Sequence, residues 1–300
     1  MTLQDSTWDT IKKYGVVIIL VGPALVLFTS LVVFPVIQAS YYSLFKWKGL
    51  GPLSDFRGIQ NFIRMFKDPI FIKALWNNVL IVGFSLVVQL PIAFTLALLI
   101  GRESYPTAII HRGIFFFPYI LAEIAIGVIW KFIYDPEFGI PTIIASLIFG
   151  EGTKIGLLGN LDTAFMAIFL VIFWKYVGFH MILYVAGLQN VPIELEEAAL
   201  IDGASKAQII GNVIIPCMKG TIIISAFLSV VGAFNIFDVV WAMGQGGPAH
   251  STETLVTYLY NFGFKRFAFG YGSAVAIVIF LICLVFNLLY QKYVVGGQND

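Results

Sequence analysis

Residues Val16–Phe45 read VVIILVGPALVLFTSLVVFPVIQASYYSLF, an uninterrupted run without a single charged side chain. About 20 apolar residues carry a helix across the ~30 Å hydrocarbon core of a bilayer, so this run is long enough to cross. Lys12 and Lys13 precede it, as the charged region of an export signal would. A signal's apolar core is only about 7–15 residues long and ends at small residues. Neither holds here, and the run is expected to remain as a first span near 14–39, bent by Gly22, Pro23 and Pro35.

Five further segments meet the same criterion: 77–100, 113–132 (interrupted by Glu123), 163–188 (holding Lys175 and His180), 220–241 (ending near Asp238) and 271–290. Gly83 and Pro91 would break a soluble helix, but lipid offers the backbone no other partner, so a bend is expected instead. Composition points the same way. The chain is 59% hydrophobic and 12% charged, with a mean hydropathy of +0.90, whereas a soluble domain is about a quarter charged. The predicted fold is an all-α integral membrane protein of six transmembrane helices, one domain over 1–300, with both termini on one side.

Several functions are excluded. A net charge of +1 provides no field to attract nucleic acid. His111, His180 and His250 lie on separate segments, and Cys217 and Cys283 stand far apart, so no metal-ligand spacing exists. The nearest approach to a phosphate-binding loop is Gly150–Lys154, which lacks the required spacing.

Two connections are informative. Within residues 44–76, expected as an outer loop, Ile59, Phe62, Ile63 and Phe66 recur at helical spacing, with Arg64 and Lys67 off the stripe. This fits a short helix lying on the membrane surface or packed on neighbouring loops. Between the fourth and fifth spans, 189–219 reads as two short helices broken at Gly203. Pro192 suits a helix start, Glu194, Glu196 and Glu197 suit the positive end of its dipole, and Ala198 and Ala199 leave room for close approach. Residues alone allow an ordinary capped hairpin or a docking surface. Were this hairpin cytoplasmic, the inner side would carry seven Lys and Arg and the outer side ten, against the usual inward bias.

The hairpin resembles the EAA loop of permeases in binding-protein-dependent ABC importers. That pattern is Glu-Ala-Ala, three residues, Gly, nine residues, then aliphatic, any residue, aliphatic and Pro. Here it is Glu197, Ala198, Ala199, Gly203, Val213, Ile215 and Pro216, with Asp202 and Ala204 matching the Asp-Gly-Ala centre of the sugar branch. Ile209 and Ile210 depart from it, since sugar permeases often carry aromatics there. Segments 61–78, 174–189 and 237–272 are similar to the same branch, and the short N-terminal arm is similar to the first of its two permeases. The extra spans and large outer domain of the enterobacterial maltose subunit are missing.

The resemblance implies a type I importer permease, multi-pass in the cell membrane, with cytoplasmic termini. It implies a second six-span permease, two cytoplasmic ATPases holding ATP and Mg, and an extracytoplasmic binding protein that delivers a sugar or sugar-like solute such as an oligosaccharide or glycerol phosphate. Glu197 would pair with a basic residue of the ATPase. This chain would carry no cofactor and perform no catalysis.

Intramembrane polar groups mark candidate pathway residues. Asn235, Asp238 and Trp241 fall at i+3 spacing on the fifth span, a face able to bond hydroxyls and stack a sugar ring. Trp241 also reads as an interfacial belt residue and Asp238 as a rim carboxylate. Glu123 and Lys175 read as pathway residues or as a pair joining the third and fourth spans. His180 reads as a packed, hydrogen-bonded histidine. Rival functions are an ATP-independent secondary transporter or channel, which needs no docking hairpin, and a membrane enzyme, for which no cluster of reactive groups is found.

Overall fold

A computed structural model of the chain describes residues 18–101 and 108–292. Lys12, Lys13, Arg102 and the expected start of the first span fall outside them. The described residues are predominantly helical, and the one β pairing among them is an isolated bridge between Phe45 and Phe56. Expected as a single domain, the chain divides into two compact units: the described part of Met1–Met65 with Phe262–Val278, and Phe66–Asn261 with the described part of Ile279–Asp300.

In the first unit, helix α1 (Ile18–Tyr42) exposes its whole apolar window, with 0% of it buried. The chain then folds back onto α2 (Gln60–Lys67), where Asn61 donates through Nδ2 to the carbonyls of Ser43 at 2.7 Å and Phe45 at 3.0 Å. That demand sets the helix's rotation: Asn61 and Met65 turn inward, while Ile59, Ile63 and Phe66 stay exposed. The apolar stripe expected from spacing therefore faces outward. Gly270, at the start of the last helix, donates its N–H to the Trp47 carbonyl at 3.0 Å, and a Cβ there would strike the Phe45 carbonyl.

The second unit begins with α3 (Pro69–Ile100), a helix of 32 residues. Asp68 caps it by accepting the Ile70 N–H at 2.9 Å, and Pro69 occupies the first turn, where no N–H is needed. The helix thus starts well before the expected residue 77, and the connection before it ends at Asp68. Next come α4 (Ala108–Ile120) and α5 (Glu123–Ile133), bent by 97°. A short apolar helix α6 (Ile140–Phe149), not anticipated, precedes α7 (Ala164–Gln189). The hairpin is α8 (Ile193–Ile201) and α9 (Lys206–Cys217), and α9 turns by 73° into α10 (Lys219–Asn235). Then follow α11 (Asp238–Gly244), α12 (Leu255–Tyr258) with a π-turn at Leu259–Phe264, and α13 (Phe269–Tyr290).

Among the described residues, four helices are long and apolar enough to cross a bilayer, or up to six if each bent pair counts as one span. Their large exposed Ile, Leu, Val and Phe side chains fit a lipid surround. The centre of the second unit is α7, which joins two apolar clusters. One gathers Ile81, Ile126, Phe169, Ile172, Val239 and Met243; the other gathers Ala97, Met181, Tyr184, Leu188, Ile209 and Met218. Gly178 lets α4 approach α7 so closely that a Cβ would collide with the Phe115 carbonyl.

Candidate functional site

Between α3, α4, α7 and α10, a cavity of about 220 Å³ opens in the second unit. Its wall carries Ser85, Gln89, Tyr119, Tyr176, Phe179, His180 and Ser229, with aliphatic groups between them. Each polar side chain follows from local structure. A π-turn over Ser85–Gln89 ends two residues before Pro91 and brings Ser85 Oγ within 3.2 Å of Gln89 Oε1. His180, buried on α7, holds Ser225 Oγ at 2.8 Å through Nδ1, matching the packed role read from the sequence. Tyr119 stacks on Phe179 with centroids 4.6 Å apart. The result is an apolar chamber with a few hydroxyl, amide and imidazole groups and flat ring faces, suited to a polyhydroxylated solute.

The pathway residues expected from sequence are distributed differently. Asn235, Asp238 and Trp241 do not share a helix face. Helix α10 ends at Asn235, Ile236 is extended (φ −66°, ψ 126°), and Asp238 begins α11. The fifth span therefore stops short of Trp241. The break persists because Asn78 Nδ2 bonds the Ala233 carbonyl and Thr254 Oγ1 donates to the Ile236 carbonyl at 3.1 Å. Asn235 donates to its own helix at Val231. Trp241 stacks on Phe237 and meets Tyr260 edge-on. None of the three lines the cavity.

Glu123 and Lys175 do come together, with Lys175 Nζ 3.9 Å from Glu123 Oε1. Tyr176 also donates its hydroxyl proton to Glu123. The polar wall residues Ser85, Gln89 and Ser229 were legible in principle as hydroxyls and an amide inside apolar runs.

In the hairpin, Gly203 takes φ +81°, a conformation that suits glycine, and so ends α8. Ser205 opens α9 with a capping box closed by Gln208. Glu194 and Glu196 occupy the first turn of α8, with Glu197 just beyond it. Glu197, Ala198, Asp202, Ile215 and Pro216 are exposed, whereas Ala199 and Val213 lean onto the second apolar cluster, so the two alanines do not form one outward face. Sequence reasoning missed the exposed apolar side chains of α8: Ile193, Leu195, Leu200 and Ile201, the last 87% exposed.

The second unit thus combines a cavity among its helices with a hairpin whose first helix leaves four apolar side chains exposed. Residues 114–294 match the family of binding-protein-dependent transport system inner membrane components, and the chain belongs to that family. It is 33% identical, over 93% of its length and 95% of the relative's, to the probable ABC transporter permease protein YurN of Bacillus subtilis. It is 33% identical, over 93% of its length and 83% of the relative's, to the diacetylchitobiose uptake system permease protein NgcF of Streptomyces coelicolor. In fold it resembles a chain of a bacterial ABC transporter for the acidic polysaccharide alginate, with a TM-score of 0.81, 21% identity, and 96% and 99% of the two chains covered. The protein is a multi-pass ABC importer permease of the type I fold, and the ATP-independent carrier is disfavoured.

Proposed function

We propose that this chain is one of two permeases in a saccharide importer, the cavity serving as its half of the solute path and the hairpin 189–219 as a cytoplasmic handle. The hairpin carries the reading. Ile193, Leu195, Leu200 and Ile201 expose apolar side chains on the helix that also carries Glu194, Glu196 and Glu197, and burying such side chains in a partner gains about 1.5–3 kcal/mol each. The partner is a cytoplasmic ATPase, two copies of which hold ATP and Mg. Both termini lie on the hairpin's side of the cell membrane.

Helix α1, with none of its apolar window buried, is covered by lipid and by the second six-span permease. An extracytoplasmic binding protein delivers the solute. A saccharide fits the hydroxyl, amide and ring-face lining, and the Streptomyces relative is named for uptake of diacetylchitobiose. ATP closes the paired ATPases and shifts the permease between inward- and outward-facing populations.

The test uses Gly203→Asp and Glu197→Lys in the assembled system. Each is expected to abolish ATP-driven uptake into proteoliposomes and to reduce co-purification of the ATPase, while insertion stays intact. Normal uptake and normal co-purification in both variants would refute the coupling role.

A further inference from the structure

Lys175 lies near the middle of α7 and is 2% exposed. A buried ammonium in a membrane span needs a reason, and its surroundings supply one. Nζ donates to the carbonyls of Tyr119 at 3.3 Å and Leu121 at 3.1 Å, with Glu123 Oε1 at 3.9 Å. Those carbonyls stand at the end of α4, just before the 97° bend into α5. The last carbonyls of a helix have no partner within it, and at membrane depth each unmet carbonyl is costly. An ammonium has three N–H groups. Two carbonyls take up two of them, and Glu123, at ion-pair rather than hydrogen-bond distance, balances the charge. Rings of Tyr119 and Tyr176 lie 5.5 Å and 5.4 Å from Nζ.

We propose that Lys175 is a positioning residue that pins the elbow between α4 and α5 and so sets Tyr119 and Tyr176 in the cavity wall. Both tyrosines line the cavity and Lys175 does not, so the lysine acts on the solute through them. Helix α4 packs along α7, which runs into the hairpin, and α5 packs against α11. The elbow therefore joins the hairpin's helix to the segment beyond α10. For transport this rests on the cavity being the solute path; for the elbow itself it does not.

The two parts are read separately in the assembled transporter, reconstituted after Cys217→Ser and Cys283→Ser. Spin labels are placed at Ile114 and Ile129, both exposed and on opposite arms of the elbow. A straight helix would separate their backbones by about 22 Å, and the pinned elbow holds them closer in one narrow distribution. K175M/E123Q removes the donors while keeping the charge balanced. It is expected to lengthen or broaden that distribution and to raise the KM for uptake about tenfold, whereas K175R keeps both. A parent-like distance and KM in K175M/E123Q would overturn the proposal and leave Lys175 as a mere counter-charge. Should K175M/E123Q not assemble, K175R decides: a retained elbow and KM support the pin, and an opened elbow overturns it. A changed distance with an unchanged KM supports the pin but removes the tyrosines from the solute path.

Discussion

Gln89 shows how much of the cavity's chemistry rests on single side chains. It is buried, its Oε1 faces the Ser85 hydroxyl, and it borders a chamber walled mostly by rings and aliphatic groups. In that setting an amide-to-hydroxyl bond is worth roughly 0.5–1.5 kcal/mol, about two- to tenfold in affinity. Gln89→Leu keeps the volume, so uptake KM is expected to rise by about that factor with ATPase co-purification unchanged. Kinetics of labelled-sugar uptake into proteoliposomes measures it, and an unaltered KM would take Gln89 out of the solute path. Lys175 and Glu123 were visible in the sequence as a pair, because two opposite charges inside apolar runs have few ways to survive. Their partners were not. The carbonyls that Lys175 satisfies belong to a bend, and a bend does not show in residue type alone.

The helices themselves were largely readable, and where they were not, the cause is specific. α7 and α13 fall within two residues of the expected spans, since each is a long apolar run bounded by polar residues. The start of α3 was missed because Asp68-Pro69, a cap followed by a helix-starting proline, was read as part of an outer loop. The breaks after Ile120 and Asn235 are held by Lys175, Asn78 and Thr254, which lie far off in sequence, so no local pattern announces them. Prolines show a regularity of their own. The π-turns Thr29–Val33, Ser85–Gln89 and Ile210–Ile214 each end two residues before a proline, namely Pro35, Pro91 and Pro216. A wider turn absorbs the missing N–H and the ring clash that proline brings to a helix. Pro91→Ala is therefore expected to let this segment revert to α-helix, which turns Ser85 relative to the rest of α3 by about 100°, one residue's worth of helical rotation. Uptake should fall with assembly intact, and a cysteine at Ser85 should lose its reactivity to a water-soluble thiol reagent in the Pro91→Ala background. Unchanged labelling would show that the π-turn does not depend on its proline.

At the scale of the second unit, coupling needs a lever and a fixed point. Helix α10 leaves the hairpin at Lys219 and runs to Asn235, about 25 Å at 1.5 Å per residue. In the proposed coupling, its near end would follow whatever moves the hairpin. Its far end is fastened by Asn78, which is fully buried, donates to the Ala233 carbonyl and accepts the Leu255 N–H at 2.8 Å. Beside it, Asn77 donates to the carbonyls of Ser251 and Glu253 at 2.9 Å and 2.8 Å. Two adjacent amides of α3 thus hold the end of α10 and the segment leading into α12. Asn78→Leu would leave a buried carbonyl and a buried N–H without their partner, at about 1–3 kcal/mol each. The hairpin lies at the opposite end of α10, so its surface should be unaffected. The expected outcome is a transporter that still co-purifies with its ATPase but inactivates at a lower temperature and imports more slowly per ATP hydrolysed. Thermal inactivation of the purified complex and the ratio of uptake to hydrolysis in proteoliposomes measure the two effects. A lowered melting temperature with an unchanged ratio would make Asn78 a matter of stability alone, whereas loss of the ATPase from the complex would mean that the far end of α10 shapes the hairpin directly.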